Sequence, residues 1–112
     1  MPEHVHAILW FPQPGCLSSC LQHWKGRSST QIKSAFRSSS FAESFLATDP
    51  IWQRRFYSFE IESRFKLEEK LTYMHLNPVR AGLVDRAVDW KWSSARWYEQ
   101  RRSVGVPIQW VD

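Results

Sequence analysis

The sequence predicts an α+β fold in a single domain, with helices packed on one face of a sheet. Three observations predict it. Residues 5–11 form a short apolar run ending in aromatics, and residues 51–61 alternate between two faces, both strand patterns. Apolar residues recur at helical spacing through residues 17–36 and again after Ser63. The chain has 112 residues, which fits one core.

The first strand pattern carries His4 and His6. Side chains alternate faces along a strand, so both imidazoles are expected on one side and Val5 on the other, toward a core. Such a pair can hold one divalent metal through neutral imidazoles. The bland alternative is two surface histidines. Pro12, Pro14 and Gly15 then end the strand in a turn.

Leu17, Leu21, Trp24, Ser28, Ile32 and Ala35 share one face of the following helix, with Ser18 or Ser19 as candidate caps and Gly26 weakening its middle. Lys25, Lys33 and Arg37 mark the other face, either solvated or turned toward phosphates. Cys16 and Cys20 fit reduced thiols on one helix face, which suits the cytoplasm. With His23 they have the outline of a zinc site, but small buried residues on that face are the preferred reading.

Residues 38–50 read as a loop in which Phe41, Phe45 and Leu46 suit a short buried helix. The second strand pattern, residues 51–61, puts Trp52, Arg54, Phe56, Ser58 and Glu60 on one side and Arg55 on the other. Arginines interleaved with aromatics suit nucleic-acid contact, or simply a half-exposed edge. Ser63 opens the second helix, Pro78 interrupts it near its end, and a short turn of residues 79–84 closes at Gly82. Trp90, Trp92 and Trp97 mark a docking segment across the core, followed by an extended piece at residues 106–110.

The net charge is +4 and the isoelectric point about 9.4, a balance that favours a polyanionic partner over an acidic one. No run approaches the ~20 apolar residues of a membrane span, and no signal peptide is visible. No membrane partner is expected.

On the second helix, Leu67, Leu71 and Met74 form the apolar stripe. Tyr73 lies off that stripe, beside Lys66, Lys70 and Asn77, with Asn77 one turn further on. An aromatic at the rim is the bland reading. A tyrosine converging with an amide on a polar face is the functional one. His75 points to another side, where packing or capping is expected of it.

The segment Tyr73-Met74-His75-Leu76-Asn77-Pro78-Val79-Arg80-Ala81-Gly82-Leu83-Val84 closely resembles the nucleophile segment of REP-associated tyrosine transposases, relatives of the IS200-like, single-tyrosine HUH transposases. Met1-Pro2-Glu3-His4-Val5-His6 resembles their HUH strand. Ile51-Trp52-Gln53-Arg54-Arg55-Phe56 resembles their Trp-Gln-x-x-Phe strand, and Asp89-Trp90-Lys91-Trp92-Ser93-Ser94 their C-terminal Asp-Trp-x-x-Ser segment. The four motifs occur in the family's order and cover most of the chain.

The resemblance implies a ferredoxin-like HUH core with an antiparallel sheet. It also implies N-terminal truncation, since the family carries several dozen residues before the HUH strand. Residues 1–112 would then be one partial IS200-like domain. It implies Mg²⁺ or Mn²⁺ on His4, His6 and Asn77, and Tyr73 as nucleophile toward single-stranded or hairpin DNA, forming a 5′-phosphotyrosine. Lys70, Arg54, Arg55 and Arg80 become candidate DNA contacts. Monomer and homodimer both stay open. The alternative is a catalytically inactive DNA-binding remnant, and a zinc module on Cys16, Cys20 and His23 would explain none of the four motifs.

Overall fold

The computed structural model describes residues 1–40 and 49–109. Their order of elements is α1 (Leu17–Arg37), α2 (Arg64–Arg80), a 3-10 turn (Ala87–Asp89) and α3 (Ala95–Gln100). The chain groups into two compact units: Met1–Ala7 with Phe59–Asp112, and Ile8–Ser58. The expected short helix at Phe41, Phe45 and Leu46 lies outside the described residues, as does Trp110 of the expected extended tail.

The predicted α+β class with an antiparallel sheet is corrected: among the described residues there are helices and no β-strand. The physical reason is that a strand is a two-party structure. Its N–H and C=O groups become a strand only when a neighbour supplies the ladder. Neither residues 5–11 nor residues 51–61 form one with another described segment. Val5, expected in a core, is 56% exposed, and Trp10 is 74% exposed.

In the unit Ile8–Ser58, α1 covers the predicted span, but its cap differs. Cys16 is the N-cap without a side-chain cap bond, and Ser19 Oγ donates back to the Cys16 carbonyl at 3.2 Å. Cys20 is exposed rather than buried. The predicted apolar face meets residues 51–56. Trp24 and Trp52 stack at 4.9 Å between ring centroids, and Trp52 Nε1 donates to Ser28 Oγ at 2.9 Å. Lys25 Nζ donates to the carbonyls of Gln53 (2.9 Å) and Arg55 (3.1 Å). One ammonium thus takes both acceptors, one on each side of the bend at Arg54.

In the other unit, α2 starts as predicted. Ser63 is extended, and its Oγ accepts from the Lys66 N–H at 3.2 Å, satisfying one of the helix's unpaired first-turn donors. The predicted interruption at Pro78 does not occur, and the helix continues to Arg80 with Pro78 inside it and buried. The helix then closes on Gly82 at φ +73°: Leu83 N–H bonds Pro78 O and Gly82 N–H bonds Val79 O, both at 3.0 Å. That is the paired closure a left-handed glycine permits.

The core of this unit is thin. Among the described residues of the unit, Leu67, Pro78, Val88 and Ala95 are buried. The 3-10 turn lies against both α2 and α3, and Arg96 Nε pins it by donating to the Val88 carbonyl at 2.6 Å. The tryptophan tail docks in part. Trp90 and Trp97 are half-buried, whereas Trp92 is 77% exposed. Trp90 Nε1 is buried without a hydrogen-bond partner among the described residues. No described helix is long and apolar enough to cross a membrane.

Candidate active site

The site is built by one helix and the segment ahead of it in the sequence. Tyr73 and Asn77 are one turn apart on α2, so their side chains leave the same side of the helix. His4 and His6 lie on an extended stretch of the same unit. Asn77 Nδ2 sits 3.4 Å from His4 Nε2 and 3.4 Å from His6 Nε2. The two imidazoles meet edge to face, 4.8 Å between centroids. His6 in turn meets the Tyr73 ring edge to face at 6.0 Å.

Four predicted residues thus converge although more than sixty positions of sequence separate the two pairs. Burial, followed by the charge of neighbouring His4, pushes the His6 imidazole below its ordinary value. At neutral pH His6 is therefore neutral, the form with a lone pair to offer. Tyr73 is 48% exposed.

Arg80 joins this group by a route the sequence did not suggest. Its guanidinium lies over the Tyr73 ring, 5.1 Å from the centroid. The tyrosine ring is therefore flanked by His6 on one side and a cation on its face. The signal was available, since positions seven apart on a helix share a face. Lys70 is placed otherwise: its Nζ lies 4.3 Å over the Phe59 ring. Arg54 and Arg55 are exposed and belong to the other unit.

His75 has the packing role expected of it. Its Nε2 is 2.8 Å from Ser94 Oγ, and its ring lies 5.5 Å from that of Tyr98. Burial pushes its imidazole below the ordinary value, partly offset by Glu99. Among the described residues no three His, Cys, Asp or Glu side chains group as metal ligands, so Cys16, Cys20 and His23 form no such set. The convergent group near Tyr73 is two imidazoles and an amide.

The family model described as transposase IS200 like matches residues 1–77, a span that holds His4, His6, Tyr73 and Asn77. A Haemophilus influenzae protein named for the REP-associated tyrosine transposases is 27% identical over 95 residues, covering 84% of this chain and 54% of that protein. The REP-associated tyrosine transposase of Escherichia coli K12 is 27% identical over 112 residues, covering 99% of this chain and 58% of that one. The chain thus spans about half the length of the curated relatives it matches. No solved structure matches it. With the family model covering well over half of the chain and both ends of the convergent site, this protein belongs to the IS200-like transposase family.

Proposed function

We propose that this chain carries the nucleophile of a transposase that cuts and rejoins single-stranded DNA, and that Tyr73 is that nucleophile. The observation that carries the reading is the convergence of Tyr73, His6, His4 and Asn77 in one unit. In the proposed reaction Tyr73 Oη attacks phosphorus and its proton leaves to solvent. The bond from phosphorus to the 3′-oxygen breaks, and that oxygen departs as a free hydroxyl after taking a proton. The 5′ end stays on the tyrosine as a phosphodiester. The stored bond lets a second 3′-hydroxyl reverse the step and join a new end without an external energy source.

A divalent cation, Mg²⁺ or Mn²⁺, fits the residues present. His6 is held neutral, both Nε2 atoms face the Asn77 side chain, and turning that amide over would present its oxygen to the same spot. His4, His6 and Asn77 would hold it, and bound there it would polarise the scissile phosphate. The remaining work falls to this chain's own groups. His6 and Arg80 fix the plane of the Tyr73 ring. Arg80 brings positive charge to where a phosphate must approach. Arg54 and Arg55 supply exposed charge beside aromatics for the flanking strand, and Lys70 is a further candidate contact.

The test is a covalent one. Native protein incubated with labelled hairpin DNA and Mn²⁺ gives an adduct that survives denaturing electrophoresis, and Tyr73→Phe gives none. Binding without any adduct by the native chain would remove the catalytic reading. An adduct persisting in Tyr73→Phe would remove Tyr73 from the role.

A further inference from the structure

Ser94 stands at the N-cap of α3, yet its hydroxyl does not cap that helix. Only its carbonyl takes part, accepting from the Trp97 N–H at 3.0 Å and the Tyr98 N–H at 3.2 Å. A serine at this position ordinarily turns its side-chain oxygen onto the second or third N–H of the helix. Here that oxygen lies 2.8 Å from His75 Nε2 on α2. The imidazole is half-buried, with the Tyr98 ring 5.5 Å away. We infer that Ser94 is a positioning residue: through His75 it sets the rotation of α2 about its own axis, and with it the direction in which Tyr73 meets His6. The inference rests on the transposase reading of Tyr73, and it gives a task to residues 89–94, which that reading leaves without one.

Two observations carry the inference. The first is the hydroxyl itself, which forgoes a stabilising cap on its own helix to bond a side chain on another. The second is where that bond takes hold. His75 lies between Tyr73 and Asn77 in sequence, and at 3.6 residues per turn it leaves α2 about 160° round from both. The helix is therefore held from the side opposite the convergent group, where a small rotation acts directly on that group. A helix with its side chains is about 10–12 Å across, so a turn of ~10° moves a side-chain tip by about 1 Å. A misplacement of that size costs on the order of 10²-fold in rate. Tyr73 is half-exposed, so its aim follows the helix that carries it.

The neighbouring serine supplies the control. Ser93 Oγ accepts from the Ala95 N–H at 3.1 Å, so Ser93→Ala also removes one hydroxyl and one hydrogen bond, but a bond local to α3. The full chain is followed in two ways. Nuclear Overhauser effects between the His6 and Tyr73 rings, 6.0 Å apart at their centroids, report the aim of the tyrosine with no DNA present. Ser94→Ala is expected to weaken them at least about twofold, while Ser93→Ala and Ser94→Thr leave them as in the native chain. Single-turnover adduct formation on saturating hairpin DNA with Mn²⁺ should be about tenfold slower in Ser94→Ala, with DNA affinity within about twofold. Ser94→Thr keeps the hydroxyl and should recover most of the rate. His75→Phe keeps a ring and loses the bond, so it should match Ser94→Ala, and the double variant should be no slower than either. Circular dichroism checks that the helices persist in each variant.

The inference is overturned if Ser94→Ala keeps both the ring contact and the rate of the native chain. It is equally overturned if Ser93→Ala slows the reaction as much as Ser94→Ala, since lost stability would then explain both. A native chain that forms no adduct tells against the nucleophile alone, and the ring contact in Ser94→Ala still decides whether Ser94 aims Tyr73. An unchanged ring contact with the native adduct intact does the reverse.

Discussion

The guanidinium of Arg80 lies 5.1 Å above the centre of the Tyr73 ring, two turns further along α2. The contact joins two jobs. A cation over an exposed aromatic holds the ring by about 0.5–1 kcal/mol, and in the proposed reaction the same cation would meet the incoming phosphate. Arg80→Ala is expected to slow adduct formation on hairpin DNA about tenfold, the loss expected for one charge-assisted contact. Arg80→Lys should recover part of that, since it keeps charge and loses the planar fork. Single-turnover gel assays distinguish the three proteins, and equal rates would remove Arg80 from the site.

Metal binding can be read without turnover. Calorimetric titration of Mn²⁺ into the native chain should give one site that His6→Ala weakens at least tenfold and Asn77→Ala weakens less, because an imidazole is the stronger donor. Chelation with EDTA should abolish the adduct, and Mn²⁺ should restore it. Unchanged Mn²⁺ affinity in His6→Ala would place the cation elsewhere.

The start of α2 rests on a single hydroxyl. Ser63→Ala removes the acceptor for the Lys66 N–H and should cost about 1 kcal/mol, read as a lower urea midpoint with unchanged slope. The exposed pairs Arg64–Glu68 and Lys66–Glu69, each at 3.2 Å, should matter less than this cap.

Asp89 supplies a test in acid. The side-chain hydrogen bond from Arg86, 2.9 Å at its shorter arm, holds its carboxyl below the usual range. A carboxylate depressed in the folded state stabilises above its unfolded pKa of about 3.9, and that contribution is lost as pH falls through the lower folded value. NMR titration should therefore find Asp89 ionising below the ordinary aspartate value. Arg86→Ala should move it back up. No movement would show that the pair does not form in solution.

The helices were legible in the sequence because their causes are local. The apolar spacing from Leu17, the hydroxyl of Ser63 and the left-handed turn at Gly82 each act within a few residues, and the elements fall on them. Pro78 misled, since a proline in the last turn costs one bond near a terminus that the Gly82 closure secures anyway. The lack of a sheet among the described residues was not legible. Alternation in residues 51–61 says which faces a strand would have and cannot say whether a partner is present. At the site, Tyr73 and Asn77 followed from spacing on one helix. Bringing His4 and His6 to them required a relationship across the chain that only the family motifs suggested.

The clasp of Lys25 on Gln53 and Arg55 makes the order of that segment depend on the chemistry of a single amine. Acetylation would remove its charge and leave one N–H where the two carbonyls take two, releasing a stretch whose two arginines are both trypsin sites. Cleavage after Arg54 and Arg55 should then run faster in acetylated molecules than in untreated ones. A lysine-modifying enzyme would in this way act on a stretch of backbone it never touches, converting a held loop into a loose one.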